Sequence, residues 1–174
     1  MVYIVIVLAT LSRFIPHAPD FSPVYGALLF GGANLKKRDS IWFTAISLGA
    51  SDIALAKFVY HFGVAWGELI QIAAFVSIAM IGWVLQKRFS IGRLAFACLA
   101  APTAFYLISD FGAWLEFGNF PHTWKGLVAC YVAAIPFQGR ITVSTVLFSV
   151  ILFGAQQIYA SRVERRKHLQ ALAR

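Results

Sequence analysis

Residues 22–38 read SPVYGALLFGGANLKKR, an apolar segment that starts with a serine and a proline and ends with three basic residues. Ser22 is a typical N-cap residue and Pro23 suits a first helical turn, so the sequence predicts that a helix begins here. From Pro23 to Leu35 it has 13 residues, which span only about 20 Å. We expect this helix to be tilted or sheltered by its neighbours, and Gly31 and Gly32 would allow close helix contact.

The whole chain is too apolar for a water-soluble domain. Of its 174 residues, 60% are hydrophobic and only 13% are charged, and the mean hydropathy is +0.74. In a soluble domain of this size, roughly a third of the surface of the unfolded chain stays exposed after folding. Long runs with almost no charge are typical of hydrocarbon-spanning helices. The sequence therefore predicts an all-α integral membrane protein.

Apolar runs divide the chain into a bundle of six transmembrane helices, whose ends are marked by the interfacial tryptophans 42, 66, 83, 114 and 124. The spans are expected at Met1–Ile15 (a retained helix rather than a cleaved signal peptide), Pro23–Leu35, Ser40–Phe58, Val64–Gln86, Ile91–Leu115 and Arg140–Ala160. The apolar segment Trp124–Phe137, closed by Pro136 and Gly139, is expected to form one short re-entrant or interfacial helix. Residues 1–160 form a single transmembrane domain in this interpretation, followed by a basic cytoplasmic tail at 161–174.

The basic residues predict the orientation. With both termini in the cytoplasm, eleven of the fifteen fall inside, namely Lys36, Lys37, Arg38, Lys87, Arg88, Arg93, Arg162, Arg165, Arg166, Lys167 and Arg174. This excess follows the positive-inside rule. The expected location is the inner (plasma) membrane, with the net charge of +8 attracting anionic lipid rather than nucleic acid.

Enzymatic and metal-binding templates are missing from the sequence. It has no phosphate-binding glycine loop, no GxSxG and no HExxH motif. Cys98 and Cys130 lie in separate apolar runs, so neither a disulfide framework nor a zinc site is indicated. Cys130 lies nearer the outer loops, and for this residue a role as a ligand of a metal or cofactor stays open. We expect a protein that is not an enzyme and needs no cofactor or metal.

The predicted topology gathers polar residues at the outer side, where they suggest a ligand pocket. Charges at membrane depth are costly, and Asp52 and Asp110 each sit inside an apolar helix. They either form buried ion pairs that fix helix register or line the pocket; for Asp20, His61 and Glu116, simple hydration is favoured. The candidate ligand-binding residues are Arg13, His17, Asp52, Asp110, Trp114, His122, Trp124 and Lys125. Arg13 and Lys125 would attract an anionic or polar group, Trp114 and Trp124 would stack on its flat part, and the aspartates would accept its donors or hold the cations.

Several segments resemble an uncharacterised bacterial membrane family of unknown function. They are Arg13–His17, Phe21–Ala27, Leu29–Gly32, Ser51-Asp52, Phe111–Trp114, Pro121–Thr123, Gly126-Leu127 and Cys130–Phe137. In size and helix count the chain is also similar to the S-components of energy-coupling-factor vitamin transporters. That resemblance implies an outward-opening pocket and a membrane partner with ATPases. The run Val5–Leu8 lacks the small-residue spacing through which S-components dock.

Two functions follow as expectations. The first is a small-molecule binding or transport protein of S-component type, with a vitamin-like ligand in the outward-facing polar pocket. The alternative is a structural or assembly subunit of a membrane complex, without a ligand of its own. The lipid bilayer is a partner in either case, and a membrane partner subunit is compatible with both.

Overall fold

Every regular element in the described part of the chain is helical. The computed structural model describes residues 2–15, 21–60, 67–116 and 118–172. Its helices are α1 (Val2–Leu11), α2 (Val24–Asn34), α3 (Lys37–Leu55), α4 (Gly67–Gly82), α5 (Ile91–Glu116) and α6 (Trp124–Leu172). Short turns extend three of them: 3-10 turns at Ser12–Phe14 after α1 and Trp83–Leu85 after α4, and a π turn at Ala56–Tyr60 after α3. The predicted all-α class is confirmed.

Four helices are long and apolar enough to cross a membrane. They comprise Lys37–Phe58, Gly67–Leu85, Ile91–Glu116 and Trp124–Gln170, while Val2–Phe14 is a shorter apolar helix. Large apolar side chains cover the outside of the bundle; Ile46, Phe96 and Val143 are each about three-fifths exposed. Such a surface is typical of a protein surrounded by lipid. The fold therefore indicates a membrane protein.

Helix α2 lies at the centre of the bundle. Each residue from Val24 to Gly32 is buried, and α2 contacts all five other helices. A helix that is apolar on every side is stable only when other elements surround it. The sheltering predicted for this short helix is confirmed. Its start also matches the prediction, because the Ser22 hydroxyl accepts a hydrogen bond from the Val24 amide at 3.4 Å.

Three glycines of α2 let three different helices approach it. A Cβ atom at Gly26 would lie 2.7 Å from the Phe148 Cβ on α6, and one at Gly31 would lie 2.6 Å from the Ile6 side chain on α1. At Gly32 a Cβ would collide with the backbone carbonyl of Ala79 on α4. The predicted close contact at Gly31 and Gly32 is confirmed, and it brings backbone against backbone where α2 meets α4.

One end of the bundle, here called the basic end, holds the residues that join α2 to α3 and α4 to α5. Gln86 donates hydrogen bonds to the Gly32 and Leu35 carbonyls at 2.7 and 2.8 Å, which pairs acceptors left free at the end of α2. The Trp83 indole donates to the Ser40 hydroxyl at 3.0 Å. Lys37 lies over the Trp83 ring.

Contacts at the basic end also give the helix directions. Tyr3 of α1 donates to Asp39 at the start of α3, and Asn34 at the end of α2 exchanges amide hydrogen bonds with Gln156 of α6. Thus α1, α3 and α5 begin at this end, whereas α2, α4 and α6 run toward it. The opposite end, here called the site end, holds the end of α3, the start of α4 and the start of α6.

The separate short helix predicted at Trp124–Phe137 is wrong. These residues form the first part of α6, a single helix of 49 residues, or about 73 Å. Pro136 lies inside it and does not end it. In an apolar environment the helix remains the cheapest way to pair backbone groups, so one lost N–H bond is tolerated. Arg140 accordingly lies inside α6 and does not begin a helix.

The other helix bounds agree with the predicted ones to within a few residues, except that the last helix ends at Leu172 and not at Ala160. The predicted start of the fourth helix at Val64 lies outside the described residues, as do Met1, Ala173 and Arg174. The segment from Ser161 to Leu172 is helical and continues α6 past Gln156.

The contact between Gly32 and Ala79 predicts a large effect of one methyl group. In Gly32→Ala, α2 and α4 must move apart, and we expect a loss of about 2 kcal/mol in the free energy of unfolding, as for other overpacked sites. In the control Gly154→Ala, the new methyl meets nothing within 4 Å, and stability should stay the same or rise. Thermal unfolding in a neutral detergent, followed by circular dichroism, measures both. Equal losses in the two variants would contradict the packing described.

Candidate functional site

An ion pair joins α1 to α3 at the site end. The Arg13 Nη2 lies 2.5 Å from Asp52 Oδ1, and the Arg13 Nη1 donates to the Ser51 hydroxyl at 2.7 Å. Arg13 lies in the 3-10 turn that follows α1, a turn supported by the Ser12 hydroxyl bound to the Ala9 carbonyl at 2.7 Å. Arg13, one of the donors expected for a buried aspartate, is the partner that the fold supplies to Asp52.

The pair is enclosed and incompletely satisfied. The Asp52 side chain is 6% exposed and that of Arg13 is 19% exposed. Asp52 Oδ2 is buried and has no hydrogen-bond partner among the described residues. A buried carboxylate oxygen without a donor is costly, and native proteins seldom leave one without a reason. This oxygen is the one open acceptor that the ion pair leaves in the site.

Three aromatic rings from three helices form a floor for the ion pair. The Arg13 guanidinium carbon lies 5.3 Å from the Phe75 ring centroid, a cation–π distance. Phe75 of α4 in turn contacts Tyr25 of α2 and Phe105 of α5, with ring centroids 6.3 and 5.0 Å apart. The Tyr25 and Phe105 rings meet edge to face at 5.2 Å. The charged pair therefore lies against an apolar, polarisable surface.

Glu68 lies near the pair, and Glu116 lies beside the start of the same helix. Glu68, half-buried in the first turn of α4, is within electrostatic reach of Asp52, Glu116 and Arg13. The Glu116 carboxylate lies against the backbone of Gly67, in the space that any side chain at position 67 would fill. Gly67 thus allows the end of α5 to approach the start of α4, with two acidic groups at the junction.

Asp110 lies in a different environment, at the contact between α5 and α6. Cys130 donates its thiol hydrogen to the Asp110 backbone carbonyl, with the sulfur 3.6 Å away. Nearby, Tyr106 donates to the Tyr131 carbonyl at 2.6 Å and Tyr131 donates to the Leu107 carbonyl at 2.8 Å. These reciprocal bonds hold the two helices in register. The structure thus places the two predicted aspartates on different helix contacts.

Trp114 and His122 close the loop between α5 and α6. The Trp114 indole donates to the Pro121 carbonyl at 3.1 Å, and His122 Nε2 lies 3.1 Å from the Trp114 carbonyl oxygen. Their rings meet edge to face at 5.2 Å. Trp124 is 78% exposed, and Lys125 beside it is exposed too.

The candidate residues from the sequence therefore fall into separate groups. Arg13 and Asp52 come together, Trp114 and His122 come together in the loop, and Trp124 and Lys125 lie on the outer surface of α6. His17 lies outside the described residues. Sequence reasoning did not find Phe75 or the aromatic floor, because one phenylalanine in an apolar helix carries no pattern that marks it. For Glu116 hydration was favoured, and only Gly67 beside Glu68 could have indicated the close approach.

Comparison with known proteins identifies the family of this chain, and that family has no assigned function. A family model described as a family of unknown function, DUF6580, matches residues 1–169. The chain belongs to this family. No curated protein and no solved structure matches the chain.

The buried ion pair predicts an asymmetric response to mutation. Arg13→Met leaves Asp52 enclosed without a cation, and we expect a loss of about 3 kcal/mol in the free energy of unfolding. Replacing both partners, Arg13→Met with Asp52→Leu, should recover most of that loss because no unpaired charge remains buried. Denaturant titration in detergent micelles measures the three proteins.

Asp39→Asn serves as the control for loss of a carboxylate, since Asp39 meets Tyr3 at the surface of the basic end. It should change the free energy of unfolding by less than about 0.5 kcal/mol. If the double replacement is less stable than Arg13→Met alone, the pair does not act as described.

Proposed function

We propose that this protein binds a small polar molecule at the site end and moves it across the membrane, in the manner of the S-components it resembles. The observation that supports this most strongly is the unpartnered Asp52 Oδ2 beside the Arg13 ion pair. Ionisable groups inside a transmembrane bundle are expensive and commonly mark a substrate or ion pathway. A pair that served only to fix helix register would be cheaper with both oxygens bonded. No chemical step on the ligand is part of this proposal.

The short central helix supports a binding site at membrane depth. Tyr25, near the start of α2, contacts Phe75, which lies eight residues into α4 and therefore about 12 Å from its first residue. Helix α2 thus begins farther from the site end than α4 does. Interrupted helices that end inside the bilayer recur at the binding sites of transporters. The ligand would lie between the start of α2 and the level of Asp52.

Helix α2 is also the best candidate for a moving gate. Its contacts at Gly26, Gly31 and Gly32 bring smooth backbone against α6, α1 and α4. A helix that presents few interlocking side chains at these points can shift with little repacking. Movement of α2 toward the basic end would open a path beneath the aromatic floor.

The orientation belongs to the same proposal. Six spans, with α1 and α2 as the short ones, place the basic end in the cytoplasm and the site end outside the plasma membrane. Lys36, Lys37, Arg38, Lys87, Arg88 and Arg93 support this through the positive-inside rule.

Labelling of single cysteines tests the orientation. In a background with Cys98 and Cys130 replaced by alanine, Gly118→Cys in the exposed α5–α6 loop should react with a membrane-impermeant maleimide on intact cells. Lys87→Cys should react only after the cells are permeabilised. The reverse pattern would place the site on the cytoplasmic side and overturn the proposed direction.

Ligand binding is tested by thermal stabilisation of the purified protein. A panel of vitamins, amino acids and amines is screened in a neutral detergent, and a true ligand at 100 times its Kd should stabilise the fold by about 2.7 kcal/mol. The stabilisation should disappear in the Arg13→Met, Asp52→Leu protein and persist in Asp39→Asn. A ligand that stabilises all three equally binds elsewhere and would refute the assignment of the site.

One observation favours the alternative function, that of an assembly subunit. Arg140 is exposed within the apolar part of α6, and its guanidinium carbon lies 6.0 Å from the Phe137 ring centroid. An exposed cation in a membrane span calls for a polar group from outside the bundle. Past Gln156, residues 157–172 extend α6 by about 24 Å, which offers a further surface for a partner. Absence of any stabilising ligand in the panel would favour this second function.

A further inference from the structure

Three of the described carboxylates at the site end form a graded series. Glu116 is exposed, Glu68 is half-buried and Asp52 is buried. Glu68 is within electrostatic reach of both of the others. The series therefore leads from the surface of the bundle to the buried ion pair, and its innermost member carries the unpartnered Oδ2.

The charges around this series do not balance. In the described part of the site Arg13 is the cation within reach of Asp52 and Glu68, and it is already bound to Asp52 and Ser51. The other basic residues near this end are turned elsewhere: the Lys57 side chain is exposed and lies over Phe58, and Lys125 is exposed on α6. Asp52 and Glu68 thus share the Arg13 guanidinium, and Glu116 adds a further carboxyl group beside Glu68, so carboxyl groups outnumber cations among the described residues of the site.

Like the carboxylates, the aromatic floor favours a positively charged ligand. Phe75 already accepts the Arg13 guanidinium on its ring face, and Tyr25 and Phe105 extend the aromatic surface beside it. Aromatic faces attract cations and offer nothing to an anion. Each ring is at most 6% exposed, so a bound ammonium compound would have to displace part of this packing to bond the open carboxylate oxygen and lay its apolar body on the rings.

We propose that the ligand is a small organic cation, with an ammonium group that binds between Asp52 and Glu68 and an apolar body that lies against Phe75, Tyr25 and Phe105. This inference rests on the proposed binding function and specifies its substrate class. It differs from the expectation from the sequence that Arg13 and Lys125 would attract an anionic or polar group. Arg13 is held by Asp52 and Ser51, so it is not free to recruit an anion.

Three probes that share one apolar body test the sign of the charge. They are 2-phenylethylammonium, phenylacetate and 2-phenylethanol, each added at matched ionic strength to the full-length protein in a neutral maltoside detergent. We expect the ammonium to raise the midpoint of thermal unfolding and the other two to leave it unchanged. In Glu68→Gln, which keeps the Arg13–Asp52 pair, the Kd for the ammonium should rise about tenfold, since a charge-assisted bond is lost.

Glu164→Gln is the matched control, because Glu164 is an exposed acid on the α6 extension beyond the basic end. Its Kd should equal that of the unmodified protein. Stabilisation by phenylacetate that depends on Arg13 would overturn the cationic assignment while leaving the proposed binding function in place. Stabilisation by none of the three probes, or an equal effect of Glu68→Gln and Glu164→Gln, would also overturn it. Failure of the wider ligand panel, by contrast, would remove the binding function itself.

Discussion

Close backbone contact around α2 is the constraint on which the other features of the bundle depend. Gly32 lies against the Ala79 carbonyl, and Gly82 would place a Cβ 2.5 Å from the Leu29 carbonyl, so α2 and α4 approach through glycines on both helices. In lipid, apolar side chains gain little by leaving the solvent, and helices associate through close van der Waals packing. A central helix with small residues on several sides lets five others surround it.

The short length of α2 follows from the same sequence and has a consequence for the site end. Along the bundle axis, α2 begins about 12 Å farther from the site end than the first residue of α4 does. The described residues at the site end therefore include no central helix. There the Arg13–Asp52 pair links α1 to α3, and the three rings join α2, α4 and α5 beneath it. Polar groups occupy the level at which the apolar core ends. The site thus lies where the close packing around α2 ends, toward the site end of the bundle.

Sequence patterns predicted the features that depend on residues near one another in the chain, such as helix boundaries. The boundaries of α2 follow from Ser22, Pro23 and the basic cluster, and Arg13 was among few cations that could reach Asp52. The continuity of α6 was not predictable from Pro136 alone, since Pro102 lies inside α5 in the same way. A proline removes one N–H donor and crowds the preceding turn, but a helix that ended in lipid would leave further backbone groups without water to pair them, so the helix continues. The approach of Glu116 to Gly67 depends on the packing of α4 against α5, which no local pattern encodes.

The same low-dielectric setting that makes the ion pair strong also makes it suitable for exchange of a ligand. The Asp52 carboxyl group has one oxygen bonded to Arg13, with Ser51 close by, and it does not use its full capacity for hydrogen bonds. A second cation then meets an acceptor that is already oriented, and Glu68 offsets part of its cost of leaving water. When that cation departs, Arg13 remains and keeps Asp52 from becoming an isolated buried charge. In the proposed site, a permanent guanidinium beside an exchangeable ammonium would thus let the site empty and fill while the bundle stays folded.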